Sequence, residues 1–379
     1  MKAVVLAGGQ EFGQCPLSRQ APRALWPLVD KPIIEHVLRA LHKAGIQDMI
    51  ISANGRTHDI ADRIGNQPFE GVNIQYSEDC LPRGAAGCIK DCQKQIGEET
   101  FVVAPGASLL MNIDFEHLLA EHRRSGAVVT VGAAADPGDS IIDGTLSLSL
   151  KPTGLYVCEP EVFEHIRTRG YQDMKEQLIP RLVQAGLKVW AVPLRGRVVP
   201  IRNEECYINA MVSLLEDVDN RDTFTSHLPA KHPTIWIDPT AYVHPQARIV
   251  GPAYVGPNAK VMGDAVVIGP AIVSANCEID GDAIVHESIL WRGAKVGAGA
   301  MVEQTVMAAD AVVPAAAEVR GSIVVETSLS AAERQSLNRS LDLDPVGSIG
   351  PVRRFWRRIS GALRPAAGAA GRHANVARA

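Results

Sequence analysis

Ala3-Val4-Val5-Leu6 runs straight into Gly8 and Gly9, an apolar segment handing its backbone to a glycine turn. A buried parallel strand ends this way when its main chain must approach a ligand. Glycine there lets backbone N–H groups come close to an anion such as a phosphate. A plain tight turn is the competing reading of these glycines taken alone. Arg19, Arg23 and Arg83 are basic residues able to face an anion so held. Asp79 and Asp114 are carboxylates that could reach toward such a site, but their spacing does not single them out as metal ligands.

Beyond the turn come Pro16-Leu17-Ser18, Pro22-Arg23, Pro27-Leu28-Val29 and Lys31-Pro32-Ile33-Ile34-Glu35-His36-Val37-Leu38. In that order they make the opening segment resemble the signature of the sugar-1-phosphate nucleotidyltransferases, the NDP-sugar pyrophosphorylases. The resemblance implies nucleotide contacts by Leu6, Ala7, Gly8, Gly9 and Arg23. Arg23 stands where that family has Lys, which keeps the charge and turns a point donor into a planar fork. It also implies missing parts. Where the family's loop reads Gly-Gly-x-Gly-Thr-Arg, this chain has Gly8, Gly9, Gln10, Glu11, Phe12 and Gly13. Gly13 therefore replaces a phosphate-gripping Arg, and Glu11 puts a carboxylate close by. An arginine acting on phosphoryl transition-state charge is worth roughly 10³–10⁵ in rate. An anion ~4 Å from a phosphate costs on the order of 1–4 kcal/mol per charge pair.

Residues 101–119, FVVAPGASLLMNIDFEHLL, resemble the family's second apolar strand, which ends in Gly-Asp with the Asp on Mg²⁺. Here the pair is Gly106-Ala107. Residues 196–207, GRVVPIRNEECY, resemble its Gly-x-Trp-x-Asp-Ile-Gly-Thr segment, with Val198 for the Trp and Pro200 for the second metal carboxylate. Mg²⁺ takes hard oxygen ligands, and neither Ala nor Pro supplies one. Other parts match better. Gly84, Ala85, Ala86 and Gly87 resemble the turn that packs on the nucleobase, although a small-residue turn opening a helix reads the same way. Residues 153–166 resemble the segment beside the sugar, keeping Gly154, Tyr156, Glu159 and Pro160; Pro152 or Thr153 replaces its Asn. Lys151 resembles a sugar-phosphate contact, with Leu150 where an acidic neighbour is expected. Gly106, Lys151, Gly154 and Glu159 are thus the sugar-side residues that the resemblance implies. Residues 174–186 read as an amphipathic scaffold helix closed by Gly186.

The chain has 379 residues, 46% of them hydrophobic, and a net charge of −4. That is enough for two cores and argues against a chain-wide nucleic-acid surface. Seven cysteines without paired spacing point to reduced thiols and a cytoplasmic setting. Cys88 and Cys92 can share a helix face, where a structural role outweighs a metal site. No signal peptide and no apolar run of about 18 residues is found.

The C-terminal half is periodic. Ile237, Val243, Ile249, Val255, Val261, Val267, Val273, Ile279 and Val285 fall on every sixth position. Ala241, Ala247, Ala253, Ala259, Ala265, Ala271, Cys277 and Ala283 repeat in step. β-Branched residues pointing inward with a small residue near each corner indicate hexapeptide coils, about three repeats to a turn. Gly251, Gly256, Gly263, Gly269 and Gly281 suit the corners. After Val285 the phase slips, which predicts an irregular coil near Ser288-Ile289-Leu290-Trp291, before Val296 and Val302 resume the step. His244 and His286 are candidate general bases if the coil were an acyltransferase. An assembly surface is the alternative. Past Pro345 the chain turns basic; residues 352–379 hold seven arginines and no acid, after a helix expected around Ala331 to Leu343. A solvated extension or weak contact with anionic lipid are its two readings.

Together these features predict an α/β Rossmann-like nucleotidyltransferase domain at about 1–225, a left-handed parallel β-helix at about 235–325, and a helix with a basic tail over 326–379. The expected function is binding of a nucleotide or nucleotide sugar with weak or absent transfer, in a homo-oligomer or beside an active paralogue. No specific nucleic acid is expected. The alternatives are an active pyrophosphorylase using Mg²⁺ with relocated ligands, and a β-helix acyltransferase.

Overall fold

The computed structural model describes residues 1–8, 15–53, 56–78, 83–134, 151–216, 234–325 and 376–378. Gly9, Gly13, Asp79, Leu150 and the expected helix at Ala331 to Leu343 lie outside the described residues, as does the basic tail apart from Val376–Arg378. That short piece pairs antiparallel with Arg248–Val250. Two compact units emerge. One holds Met1–Gln14, Ala21–Trp26 and Lys31–Arg202; the other holds Cys15–Gln20, Pro27–Asp30 and the chain from Asn203 onward.

The first unit is built on a sheet whose strands are β1 (Lys2–Leu6), β2 (Asp48–Ala53), β3 (Asn73–Glu78), β4 (Phe101–Pro105), β6 (Val129–Ala134), β7 (Lys151–Cys158) and β8 (Val189–Pro193), leaving β5 (Ser108–Met111) and β9 (Arg197–Pro200) as a separate ladder. Its order is β8-β6-β7-β4-β1-β2-β3. All neighbours are parallel except β7, which runs against both β4 and β6. The apolar run that opens the chain is the central strand for a simple reason. Ala3 and Val5 enter one core and Val4 the opposite one, so a strand covered on both faces must be apolar throughout. Helix α1 (Ile33–Lys43) and helix α4 (Phe115–Ser125) supply the first core, and helix α3 (Gly84–Asp91) the second; α2 (Thr57–Ile64) joins the first. The expected helix at 174–186 opens as a π-helical turn, Met174–Leu178, capped by the Asp173 carboxylate, and continues as Ile179–Gln184 before Gly186 at φ 79°.

From β1 the chain moves outward through β2 to β3, then returns to β4 on the other side of β1. The strand order reverses between β1 and β4. Ligands of open α/β sheets bind outside the carboxyl ends of the strands at such a point.

In the second unit, the short strands of residues 235–324 occupy three sheets in rotation and pair parallel with one another. Ile235–Ile237, Tyr242–Val243 and Arg248–Val250 each start one sheet, and each following strand joins the next sheet in turn. Val255, Val261, Val267, Val273, Ile279 and Val285 are fully buried with the alanines that repeat beside them, as the six-residue period predicts. The phase slip is real and has a definite form. Ala253 pairs with Ala271, eighteen positions on, whereas Ile272 pairs with Ile289, seventeen on, and the shorter spacing persists to the last coil. The change coincides with a new corner. Gly-Pro at 251–252 and 269–270 gives way to Ser288, Thr305 and Ser322, whose hydroxyls donate to the carbonyls of His286, Glu303 and Arg320 at 2.7, 2.8 and 2.8 Å.

The five glycines lie between strands as expected but do not take the left-handed positions, which elsewhere also go to Gly293 and Gly299. Asn258, Asp264, Asn276, Asp282 and Asp310, with φ between 55° and 60°, make the left-handed turns, each just before a buried small residue. Short polar side chains tolerate that conformation through local hydrogen bonding. Gly269 instead marks close approach, since a Cβ there would run into the Pro252 backbone.

Candidate functional site

Leu6 ends β1 in register with Ser52 of β2 and Pro105 of β4. Its carbonyl accepts the Gly106 amide at 2.8 Å. A Cβ on Gly106 would lie 2.9 Å from Ala7 Cα and 3.0 Å from the Leu6 oxygen, so glycine is required where the two main chains touch. The amides of Ala7 and Gly8 both donate to the Ser52 carbonyl, at 2.8 and 3.3 Å. The strand end that offered N–H groups to an anion therefore has these two engaged with β2 in this structure. No local pattern in the sequence announced Ser52 as their acceptor.

After Gly106 and Ala107 the chain forms β5, which pairs antiparallel with β9 so that Ser108 faces Pro200. At the end of this ladder the Ile201 amide donates to the Ala107 carbonyl at 3.0 Å, and the Ile201 carbonyl accepts from Arg23 Nη1 at 3.5 Å. Arg23 opens a short 3-10 turn, Arg23–Leu25, whose backbone Pro22 leads in. It is half-buried, and its Nε is shielded from solvent with no hydrogen-bond partner. Leu6, Ala7, Gly106, Ala107, Ile201 and Arg23 thus form one continuous chain of contacts. Ile201 is the member that sequence reasoning missed, because it acts through its backbone.

On the neighbouring strand, Ala133 pairs with Pro152 but Gly132 with Leu155, so Thr153 and Gly154 bulge from the ladder. The Thr153 hydroxyl holds the bulge by donating to the Gly132 carbonyl at 2.7 Å. Gly154 has φ 90°, and a Cβ on it would sit 3.5 Å from the Pro105 ring, next to Gly106. Lys151 is exposed at the same edge, paired with Ala134. Gly84 and Ala85 begin α3. Gly84 has φ 73° and abuts the Gln172 carbonyl, which also accepts the Ala86 and Gly87 amides at 3.0 and 3.3 Å. The small-residue turn is docked on Tyr171-Gln172, a contact without a sequence signal. Arg83 pairs with Asp91 and donates to the Arg167 carbonyl. Arg19 is exposed on the helix Pro16–Gln20.

Glu159 is not with the others, which corrects its sugar-side assignment. Strand β7 is antiparallel to β4, with Phe101 opposite Cys158 and Val103 opposite Tyr156. Glu159 therefore leaves the sheet at its amino edge, level with Thr100 and roughly 20 Å along β4 from Gly106 at about 3.3 Å per residue. There it accepts from the Thr100 hydroxyl at 2.9 Å and meets His122 Nε2 at 2.9 Å, while His122 Nδ1 meets the Thr130 hydroxyl at 2.7 Å. This is a structural polar network. His244 and His286 fall on different coils: His244 Nδ1 accepts the Gln246 amide, and His286 stands 3.7 and 3.6 Å from Glu287 and Glu303.

The nucleotidyl transferase family model matches residues 2–140, and the model of the GMPPB C-terminal domain matches residues 232–337. The chain belongs to the sugar-1-phosphate nucleotidyltransferase family. It is similar to a UTP–glucose-1-phosphate uridylyltransferase of Synechocystis sp., 26% identical over 57% of this chain and 63% of that protein. It is also similar to a mannose-1-phosphate guanylyltransferase catalytic subunit beta of Xenopus tropicalis, 24% identical over 64% of this chain and 73% of that one. The crystal structure of HddC from Yersinia pseudotuberculosis complexed with GMP-PN gives a TM-score of 0.48 at 18% identity, covering 56% of this chain and 99% of that chain.

Membership of the nucleotidyltransferase family raises the question of Mg²⁺. The residues present do not fit it. Ala107 and Pro200 meet at the β5–β9 ladder and bring no side-chain oxygen. Among the described residues no group of three or more His, Cys, Asp or Glu side chains is arranged to hold a metal ion. Asp114 is committed elsewhere. It caps α4 by accepting the His117 amide at 2.9 Å, the main reason its carboxyl is held below the usual range, with Arg195 adding to the effect. No described helix is long and apolar enough to cross a membrane.

Proposed function

We propose that this chain is a nucleotide-sugar-metabolism protein that binds a nucleotide or nucleotide sugar through Leu6, Ala7, Gly8, Gly9, Arg23, Gly84 and Ala85, with weak or absent nucleotidyl transfer. The single observation that carries the reading is the meeting of Ala107 and Pro200, two positions far apart in sequence, at the strand-order reversal beside β1. In an active relative the sugar phosphate attacks the nucleotide's α-phosphorus, and cation and basic groups neutralise the charge that develops. Among the described residues the chain offers Arg23 there and no group of carboxylates arranged for a metal.

The role that follows is a regulatory or sensor subunit, working as a homo-oligomer or beside an active paralogue. One relative carries the words catalytic subunit in its name, which makes a non-catalytic counterpart a natural complement. The three rotating parallel sheets support reading the C-terminal part, about 235–325, as a left-handed β-helix whose flat faces suit assembly; the α/β domain then spans about 1–225. Lys151, Gly154 and Gly106 line the sugar side, and weak contact with anionic lipid is left to the basic tail.

A second reading keeps catalysis, with Mg²⁺ held by relocated ligands; the half-buried Arg23 guanidinium favours it over any use of Arg83, whose partners are Asp91 and Arg167. The test is pyrophosphate release from GTP, UTP and dTTP with mannose or glucose 1-phosphate, together with calorimetric binding of the same nucleotides. Binding without turnover is the expected outcome. Turnover by the unmodified chain overturns the non-catalytic reading, and absence of binding overturns the nucleotide site.

A further inference from the structure

We infer that this chain holds the phosphates of its ligand without a divalent cation, the Arg23 guanidinium supplying the positive charge at the β5–β9 ladder. The inference rests on the nucleotide-binding reading above and adds how the charge is met.

Three observations converge on it. First, Arg23 Nη1 reaches the Ile201 carbonyl at 3.5 Å, and the amide of that same residue is bonded to Ala107, so one residue links the guanidinium to the end of the ladder where a carboxylate pair is lacking. Second, Arg23 Nε is buried without an acceptor, and Arg23 makes no ion pair among the described residues. A buried N–H in that condition is unfavourable until an acceptor arrives. A phosphate presents paired oxygens that match the planar fork of a guanidinium. Third, the ladder brings no side-chain carboxylate at Ala107 or Pro200. Carboxylates at those positions would repel a phosphate unless a cation lay between them. With Ala and Pro, these two positions supply neither ligands for a metal nor the repulsion that would require one.

Calorimetric titration of the full chain with GTP, UTP and dTTP, in excess MgCl₂ and in EDTA, tests this. The nucleotide that binds should show dissociation constants within about twofold of each other under the two conditions, while Arg23→Gln should weaken binding at least about tenfold, the loss of a charge-assisted hydrogen bond. Arg23→Lys should recover part of the affinity, because it restores charge without the fork. Thermal unfolding of each variant checks that it is folded, and the metal dependence of the unmodified chain needs no variant. Binding about tenfold or more tighter in Mg²⁺ overturns the inference and leaves the nucleotide site standing. Metal-independent binding that survives Arg23→Gln overturns the role of Arg23. No binding under either condition overturns the nucleotide-binding reading, and this inference with it.

Discussion

The amide of Ile201 donates to the carbonyl of Ala107 at 3.0 Å, closing the end of a ladder in which Ser108 faces Pro200. Two segments far apart in the chain thereby set Ala107, in the turn before β5, beside Pro200 at the end of β9, within roughly 5–7 Å by ordinary strand spacing.

Carboxylates placed at both positions should be able to share a cation. In A107D/P200D, repulsion of about 1–3 kcal/mol is expected without metal. MgCl₂ should then raise the unfolding temperature of the double variant and leave that of the parent unchanged, as read by calorimetry across a metal titration. A parent that responds equally contradicts the absence of a metal site.

Gly106→Ala should destabilise the first unit. Its Cβ would press on Ala7 and the Leu6 carbonyl, and overpacking of this kind costs about 1–3 kcal/mol. Urea unfolding should show the loss, and nucleotide affinity should fall with it because the β1 end must shift.

The fully buried Tyr207 hydroxyl accepts Trp291 Nε1–H at 2.9 Å and donates to the Pro27 carbonyl at 2.5 Å. Burial pushes this phenol's pKa up. Tyr207→Phe removes the hydrogen bond to the buried Trp291 N–H and the one to the part-buried Pro27 carbonyl, and should cost about 1–3 kcal/mol. A double-mutant cycle with Trp291→Phe should give non-additive losses, and additivity would show that the hydrogen bond contributes nothing.

Cys15 should behave as a sluggish thiol. Burial, reinforced by Glu204, pushes it from 9.0 up to about 11. A raised folded pKa contributes stability that is complete below about pH 9 and lost as pH rises through about 11. Alkylation followed by mass spectrometry should show the Cys15 rate still climbing above pH 9, and Glu204→Gln should bring its midpoint down. A plateau near pH 9 in the parent contradicts the shift.

The coil interior was legible because its information is local. A side chain of fixed size on every sixth position records burial directly, and Val255, Val261 and Val267 are where that period puts them. Glycine content located corners but not their conformation, since Asn258 and Asp264 take the left-handed positions while Gly269 answers to contact with Pro252 one coil away. The slip after Val285 was visible as a break in phase; the sustained seventeen-residue spacing emerged only once strands were paired.

By itself the sequence determined that Ala3 to Leu6 is a buried strand delivering a glycine turn, that the opening segment is that of a nucleotidyltransferase, and that Gly13, Ala107 and Pro200 stand where charged groups are expected. Only the tertiary structure decided that Ala107, Ile201 and Arg23 touch, that Gly84 is docked on Gln172, and that Glu159 sits with His122 at the opposite edge from Gly106. The physical reason is the range of the interactions. Burial of a strand or coil leaves its period in neighbouring residues, whereas β-pairing between distant segments and the direction of β7 depend on partners that no local pattern encodes.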